Sequence, residues 1–147
     1  MTKPHENRQA EFSNDVDNGK LAEPTSSGST FYIKLASNGT PVGYVGVKNG
    51  WCAVVDEGSA LEFEAYVYDD VTYYKVASGS YAGKYLSVSK HDAVGLYRWH
   101  GATGWSKSGD DLVSKYNNQK LSMYSTDYEY LYAWNDYTVL SVSLPST

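Results

Sequence analysis

Two long segments of this chain repeat each other. Residues 83–99 read GKYLSVSKHDAVGLYRW, and residues 118–134 read NQKLSMYSTDYEYLYAW. An offset of 35 residues (121 − 86) aligns six identical residues: Leu86, Ser87, Asp92, Leu96, Tyr97 and Trp99 with Leu121, Ser122, Asp127, Leu131, Tyr132 and Trp134. Alternating apolar and polar residues in both copies indicate β-strands, and the central Asp indicates a turn.

An earlier pair of segments extends the repeat toward the N-terminus. FYIKLAS at residues 31–37 and TYYKVAS at 72–78 share Tyr, Lys, Ala and Ser at an offset of 41 (72 − 31). From Phe31 onward, twelve short alternating runs form three sets of four, broken by Gly, Asn, Asp and Ser about every 8–12 residues. Units of this kind cannot bury an apolar face alone. The sequence predicts one all-β domain over residues 31–147, built from three four-stranded repeats.

Residues 31–145 resemble the β-trefoil superfamily in their strand count and period. The segment Gly83, Lys84, Tyr85, Leu86 is similar to the Gly-x-Tyr-Leu of fascin-like trefoils. Ricin-type trefoil lectins carry Gln-x-Trp in each repeat; here residues 97–99 read YRW and residues 132–134 read YAW, without the Gln. The resemblance implies six barrel strands capped by three hairpins. A β-sandwich is the alternative fold, but it does not explain the threefold similarity.

Composition narrows the classes of partner. The formal net charge is −5, which argues against a nucleic-acid partner, because phosphate binding requires clustered Lys and Arg. No apolar run reaches the length of a membrane span, so membrane insertion is not expected. The single cysteine, Cys52, follows an apolar pattern and is predicted to be a small core residue. The oligomeric state is left open.

Residues 1–30 differ in composition from the rest of the chain. They contain one aromatic residue, scattered charges and a segment rich in Pro, Ser and Gly. Such a segment buries too little apolar surface to offset the entropy of ordering, so it is predicted to be a disordered N-terminal tail. It has no apolar stretch of the kind found in a secretory signal. The expected location is cytoplasmic, or secreted without a recognisable signal peptide.

The sequence offers no catalytic or metal-binding motif. His5, His91 and His100 stand alone, without the spacing that brings two ligands to one metal. No serine lies in Gly-x-Ser-x-Gly. The paired aspartates at residues 69–70 and 110–111 lack the alternating ligands of a calcium loop and are predicted to form turns. We therefore expect a non-enzymatic protein without a metal or another cofactor.

Aromatic residues interleaved with acidic and amide side chains give the strongest functional indication. Sugars present apolar C–H faces and a rim of hydroxyls, which suit a flat aromatic ring beside Asp or Asn. The sequence predicts shallow, lectin-like carbohydrate sites related by the repeat, with Asp92 and Asp127 in equivalent turns. The candidate ligand-binding residues are Asp92, Tyr97, Trp105, Asp127, Tyr128, Tyr132, Asn135 and Asp136.

A protein partner is the alternative, in the manner of fascin-like or inhibitor trefoils. The chain has 15 tyrosines and only 3 phenylalanines. Tyr124, Tyr128, Tyr130 and Tyr132 alternate in sequence, so they lie on one strand face or continue onto the turn. A row of this kind that is not exposed covers the neighbouring strand. If this face is exposed, it is a contact surface. Four other apolar residues are expected to lie in the core or to cap the barrel, and not to contact a ligand. They are Leu96, Trp99, Leu131 and Trp134.

Overall fold

The computed structural model describes residue 23 and residues 26–147, apart from the side chain of Ser27. This part of the chain is all-β: its strands form one 14-stranded antiparallel sheet, with short 3₁₀ turns at Glu57–Ser59 and Trp99–Gly101. The strands are β1 (Ser26–Phe31), β2 (Lys34–Ser37), β3 (Thr40–Lys48), β4 (Trp51–Val55), β5 (Phe63–Tyr68), β6 (Val71–Val76), β7 (Tyr85–Val88), β8 (Val94–Tyr97), β9 (Trp105–Ser108), β10 (Asp111–Ser114), β11 (Leu121–Ser125), β12 (Tyr128–Ala133), β13 (Thr138–Val139) and β14 (Ser141–Ser143).

Two-residue turns join several neighbouring strands. Asn-Gly at residues 38–39 joins β2 to β3, Asn-Gly at residues 49–50 joins β3 to β4, and Asp69 with Asp70 joins β5 to β6. All six residues have φ between 50° and 81°, the backbone of a type I′ hairpin turn. Asn, Asp and Gly adopt this conformation at low cost. The prediction that residues 69–70 form a turn is confirmed; of the other pair, Asp110 lies in a turn and Asp111 begins β10.

The strand order along the sheet is β1, β5, β6, β9, β10, β14, β2, β3, β4, β12, β11, β13, and β7 pairs with both β6 and β8. β1 and β2 are consecutive in the chain but have different neighbours. β1 pairs with β5, whereas β2 pairs with β14 on one side and β3 on the other. The segment that contains β1 and β2 therefore connects the two ends of a series in which five other strands lie between them.

The sheet begins earlier than the sequence predicted. Residues 26–30, assigned to the disordered tail, belong to β1, where Ser26 lies opposite Tyr66 and Thr30 opposite Glu64. Pairing with β5 satisfies the hydrogen-bonding groups of the β1 backbone whatever its side chains are. The polar composition of residues 26–30 therefore does not prevent them from forming a strand. The remainder of the predicted tail, residues 1–22, 24 and 25, lies outside the described residues.

The offset of 41 residues between the first two repeats is confirmed by the strand register. Lys34 lies opposite Tyr44 in the first repeat, and Lys75 lies opposite Tyr85 in the second. Both members of the pair move by 41 residues (75 − 34 and 85 − 44). The similarity between residues 31–37 and 72–78 thus corresponds to the same place in two hairpins.

The offset of 35 between the second and third predicted repeats matches the first strands of the two hairpins but not their second strands. Leu86 lies opposite Leu96, ten residues on (96 − 86), but Leu121 lies opposite Ala133, twelve residues on (133 − 121). The register of the β11–β12 hairpin also shifts between Met123 and Ser125, as a β-bulge does. Ala133, and not the identical Leu131, therefore occupies the position of Leu96.

One apolar core contains residues that the sequence aligned across the three predicted repeats. Val45, Leu86 and Leu121 have no exposed surface and belong to the same cluster of buried side chains. Cys52 is buried in this cluster too, as predicted, and burial raises the pKa of its thiol. Leu86 and Leu121 thus have shared surroundings although they are 35 residues apart (121 − 86).

Close packing of β3 on β4 requires glycine at residue 43. Gly43 has φ +145°, and a Cβ there would lie 2.5 Å from the backbone oxygen of Val55. Gly43→Ala is expected to lower the free energy of unfolding by about 1–3 kcal/mol, because backbone must move to accept the methyl group. Denaturant unfolding should measure this loss relative to Gly39→Ala, since Gly39 also has positive φ but no atom within 4 Å of its Cβ position. Equal losses would contradict the packing argument.

Candidate functional site

Tyrosine rings gather around the β11–β12 hairpin in what we call the tyrosine cluster: Tyr124, Tyr128, Tyr130, Tyr132 and Tyr137. Ring centroids lie 5.0 Å apart for Tyr124 and Tyr137, 5.1 Å for Tyr132 and Tyr137, and 4.8 Å for Tyr128 and Tyr130. Steep interplanar angles, of 67° for Tyr124 with Tyr137 and 82° for Tyr132 with Tyr137, are the edge-to-face geometry that aromatic pairs prefer. Four of the rings are half-buried, and Tyr132 lies beneath them with 2% exposed.

Strand alternation on β12 produces the cluster. Tyr128, Tyr130 and Tyr132 occupy one face, while Leu131 and Ala133 point to the opposite face and belong to the main core. The predicted alternation therefore holds for these three tyrosines, whereas Tyr124 lies on the neighbouring strand β11. The half-buried rings present an aromatic surface whose conformation is fixed by packing, so a ligand would meet little flexibility there.

Asp92 is held beside β12, although it belongs to the β7–β8 hairpin. Its backbone oxygen accepts the N–H of Ala133 at 2.9 Å, and Ala93 forms a β-bridge with Tyr132. Asn117 Nδ2 donates to Asp92 Oδ1 and to the backbone oxygen of Ala133, at 2.9 Å in each case. The β10–β11 loop and β12 therefore fix the position of Asp92 and of its carboxylate.

The ring of Tyr137 packs against the ring of Tyr124, and the Tyr137 hydroxyl is close enough to the Asp92 carboxylate to be affected by its charge. Burial raises the pKa of the Tyr137 hydroxyl, and the nearby Tyr124 and Asp92 raise it further. The hydroxyl therefore stays protonated at neutral pH, where an unperturbed tyrosine is already neutral. The site combines a hydrogen-bond donor at Tyr137, an acceptor at Asp92 and the aromatic rings of the tyrosine cluster.

Burial corrects three of the predicted ligand contacts. Tyr97 and Trp105 have at most 1% of their surface exposed, and the Trp105 indole Nε1 donates to the backbone oxygen of Leu86 at 2.8 Å. Both are core residues and present no surface to a ligand. Tyr132 belongs to the tyrosine cluster, but its ring is buried beneath the other rings and supports them.

The two turn aspartates are not equivalent, contrary to the sequence prediction. Asp92 is half-buried and bonded to Asn117, whereas Asp127 is exposed next to Tyr128 in the β11–β12 turn. The longer third hairpin moves its turn away from the position that Asp92 occupies. Asp92 and Asp127 therefore do not lie in two repeat-related copies of one arrangement.

Asn135 and Asp136 lie in the exposed turn after β12. Asn135 Oδ1 accepts the backbone N–H of Lys120 at 2.8 Å, and its own N–H donates to Gln119 Oε1 at 3.0 Å. Asn135 therefore ties the turn to the β10–β11 loop. Asp136 is exposed one residue before Tyr137, at the margin of the tyrosine cluster.

The aligned tryptophans have different environments. Trp99 is buried, as the core interpretation requires, whereas Trp134 has 37% of its surface exposed. Sequence reasoning missed Asn117 and Tyr137. Neither belongs to an identical repeat position. Asn117 lies in the β10–β11 loop and Tyr137 in the turn after β12, so both come near Asp92 only in the folded chain.

Comparisons with known proteins found no matching family model, no similar curated protein and no similar solved structure. None of the helices in the described part of the chain is long and apolar enough to cross a membrane. Within residue 23 and residues 26–147, no group of three or more His, Cys, Asp or Glu side chains is placed to hold a metal ion. His91 and His100 are both exposed.

Proposed function

We propose that this chain is a β-trefoil that binds carbohydrate without catalysis, at the tyrosine cluster and Asp92. The order β1, β5, β6, β9, β10, β14, β2 supports a six-stranded barrel, because β1 and β2 belong to one chain segment and return the order to its start. The hairpins β3–β4, β7–β8 and β11–β12 are the three candidates for its caps.

A recurring turn supports the same threefold arrangement. The third strand of each proposed repeat is followed by a backbone hydrogen bond that closes a four-residue turn, with lengths from 3.1 to 3.2 Å. The donor and acceptor pairs are Ala60 to Glu57, Ala102 to Trp99 and Tyr137 to Trp134. The last of these turns carries Tyr137 to the tyrosine cluster, so the proposed symmetry helps to build the site.

The observation that carries the proposed function is the fixed Asp92 carboxylate near Tyr137, whose ring packs on that of Tyr124. A sugar hydroxyl can donate to Asp92, and another sugar oxygen can accept from the Tyr137 hydroxyl. The exposed parts of the half-buried rings suit the C–H face of a pyranose. Because Asn117 already orients the carboxylate, binding costs little additional side-chain ordering.

Asp92→Asn is the sharpest test of this site. Asn tolerates the positive φ of 67° at this position, and Asn117 can still donate to the amide oxygen. The change therefore removes the charge while preserving the turn. A hydrogen bond to a charged group contributes about 1.5–3 kcal/mol, so affinity for the best saccharide should fall about tenfold or more.

A glycan array should first identify the saccharide, and isothermal titration should then compare the variants. Asp110→Asn is the matched control, because Asp110 is exposed in the β9–β10 turn and outside the tyrosine cluster. We expect it to bind like the unsubstituted chain. Absence of saccharide binding, or unchanged affinity in Asp92→Asn, would contradict the proposal. Protein binding that free sugar does not compete would favour the alternative of a protein-interaction trefoil.

A further inference from the structure

A second group of aromatic rings packs around Tyr85, at a distance in the chain from the tyrosine cluster. We call Tyr66, Tyr73, Tyr85 and Trp99 the Tyr85 cluster. Its ring centroids lie 4.9 Å apart for Tyr73 and Trp99, 5.3 Å for Tyr85 and Trp99, and 5.8 Å for Tyr66 and Tyr85. All four side chains are buried. The packed rings provide a rigid apolar base.

A lysine lies over the edge of this base. Lys75 Nζ is 5.0 Å from the centroid of the Tyr66 ring and 5.7 Å from that of Tyr85. At these distances the ring quadrupoles attract the ammonium group. Only 22% of the Lys75 side chain is exposed. Its charge is therefore partly removed from water, and its attraction to an anionic partner is stronger than it would be in bulk solvent.

The anion present is the carboxylate of Glu23, a residue 52 positions away in the chain. Glu23 Oε1 accepts from Lys75 Nζ and from the Tyr85 hydroxyl. Burial raises the pKa of Glu23, but the hydrogen bonds from Lys75 and Tyr85 and the charge of Lys75 outweigh it and hold the pKa below its ordinary value. The carboxylate is thus ionised at neutral pH and engaged by two donors.

We propose that Lys75, Tyr66 and Tyr85 form a binding site for a carboxylate side chain of a peptide, which Glu23 occupies in cis. The donors fit an ionised acid and not a neutral amide, because both hydrogen bonds are strengthened by the charge of the acceptor. An acidic peptide supplied in trans meets the same two donors once Glu23 no longer fills the site. This site is distinct from Asp92 and the tyrosine cluster.

Glu64 is the other acid near Lys75, and it is held by different groups. It lies opposite Lys75 in the β5–β6 pair, where cross-strand side chains are close neighbours. Its Oε2 accepts from the hydroxyl of Ser26, while the Tyr85 hydroxyl donates to Glu23. Glu64 therefore adds negative charge beside the site, so an incoming carboxylate depends on both Lys75 and Tyr85.

The test uses the full chain with Glu23→Gln and a fluorescein-labelled peptide KLAEPTSSGS, which copies residues 20–29. Fluorescence anisotropy should show binding at least about tenfold tighter for this variant than for the unsubstituted chain, since a tethered ligand competes at an effective concentration in the millimolar range. The same peptide with glutamine in place of its glutamate should bind about tenfold more weakly or worse.

A second variant separates the site from nonspecific peptide binding. Adding Lys75→Met to Glu23→Gln removes the cation but keeps a long apolar side chain on the rings, so peptide binding should be lost while the near-ultraviolet spectrum of the aromatic rings is retained. Equal binding by the unsubstituted chain and Glu23→Gln would overturn the proposal. Equal binding of the glutamate and glutamine peptides would overturn it as well.

Discussion

Trp105→Ala is expected to lower the free energy of unfolding by about 3–5 kcal/mol, the usual cost of truncating a buried tryptophan. Trp105 has no exposed surface and packs in the main core. Truncation leaves a cavity among neighbours from several strands. It also removes the hydrogen bond that the Leu86 backbone oxygen accepts from the indole N–H. Urea or guanidinium unfolding monitored by circular dichroism should measure the loss.

Trp105→Phe separates the hydrogen bond from the packing. Phenylalanine fills much of the space but cannot donate to Leu86, so we expect a smaller loss of about 1–3 kcal/mol, the cost of an unsatisfied buried polar group. A ligand-contact residue would behave differently, because its replacement would weaken sugar binding and leave unfolding nearly unchanged. That second result would contradict the assignment of Trp105 to the core.

The strands and their turns could be predicted from the sequence because both depend on local properties. Residues 31–37 and 72–78 lie largely in strands, as their alternation predicts. Their offset reappears in the pairing of Lys34 with Tyr44 and of Lys75 with Tyr85. The Asn-Gly turns follow from backbone preferences that need no tertiary information.

Burial could not be predicted in the same way. Tyr97 and Trp105 are aromatic residues of the kind that ligand sites use, but the strand register buries both in the core. A register shift of one residue would reverse which side chains of a strand are buried. The bulge near Met123 also changes which residues correspond, so the identical Leu96 and Leu131 are not matched by pairing. Sequence identity within a repeat therefore fixed neither register nor exposure.

Both candidate sites depend on contacts between distant parts of the chain. Asn117 meets Asp92 across 25 residues, and Glu23 meets Tyr85 across 62. Composition assigned Glu23 to a tail with few apolar residues. Composition predicts only the average burial of such a segment. It does not show where one carboxylate finds two donors, because this depends on the folded surface that the rest of the chain provides.

Leu86→Ala and Leu121→Ala should each lower the free energy of unfolding by about 2–5 kcal/mol. Both leucines are fully buried in one cluster. Leu86 lies opposite Leu96 in the β7–β8 hairpin, and Leu121 lies opposite Ala133 in the β11–β12 hairpin. If the proposed threefold barrel is correct, they support the same centre. Their losses should then agree within about 1 kcal/mol, well inside the range found among buried leucines.

The shape of the unfolding curves tests the shared centre more directly than the size of the losses. Each variant should unfold in one cooperative transition with an unchanged dependence on denaturant, because no repeat can keep its apolar face buried after another repeat unfolds. Val67→Ala is the surface control: Val67 is 60% exposed, and its replacement should change stability by less than about 0.5 kcal/mol. Two separate transitions in Leu121→Ala would mean that the third repeat unfolds independently, and the proposed common barrel would then be wrong.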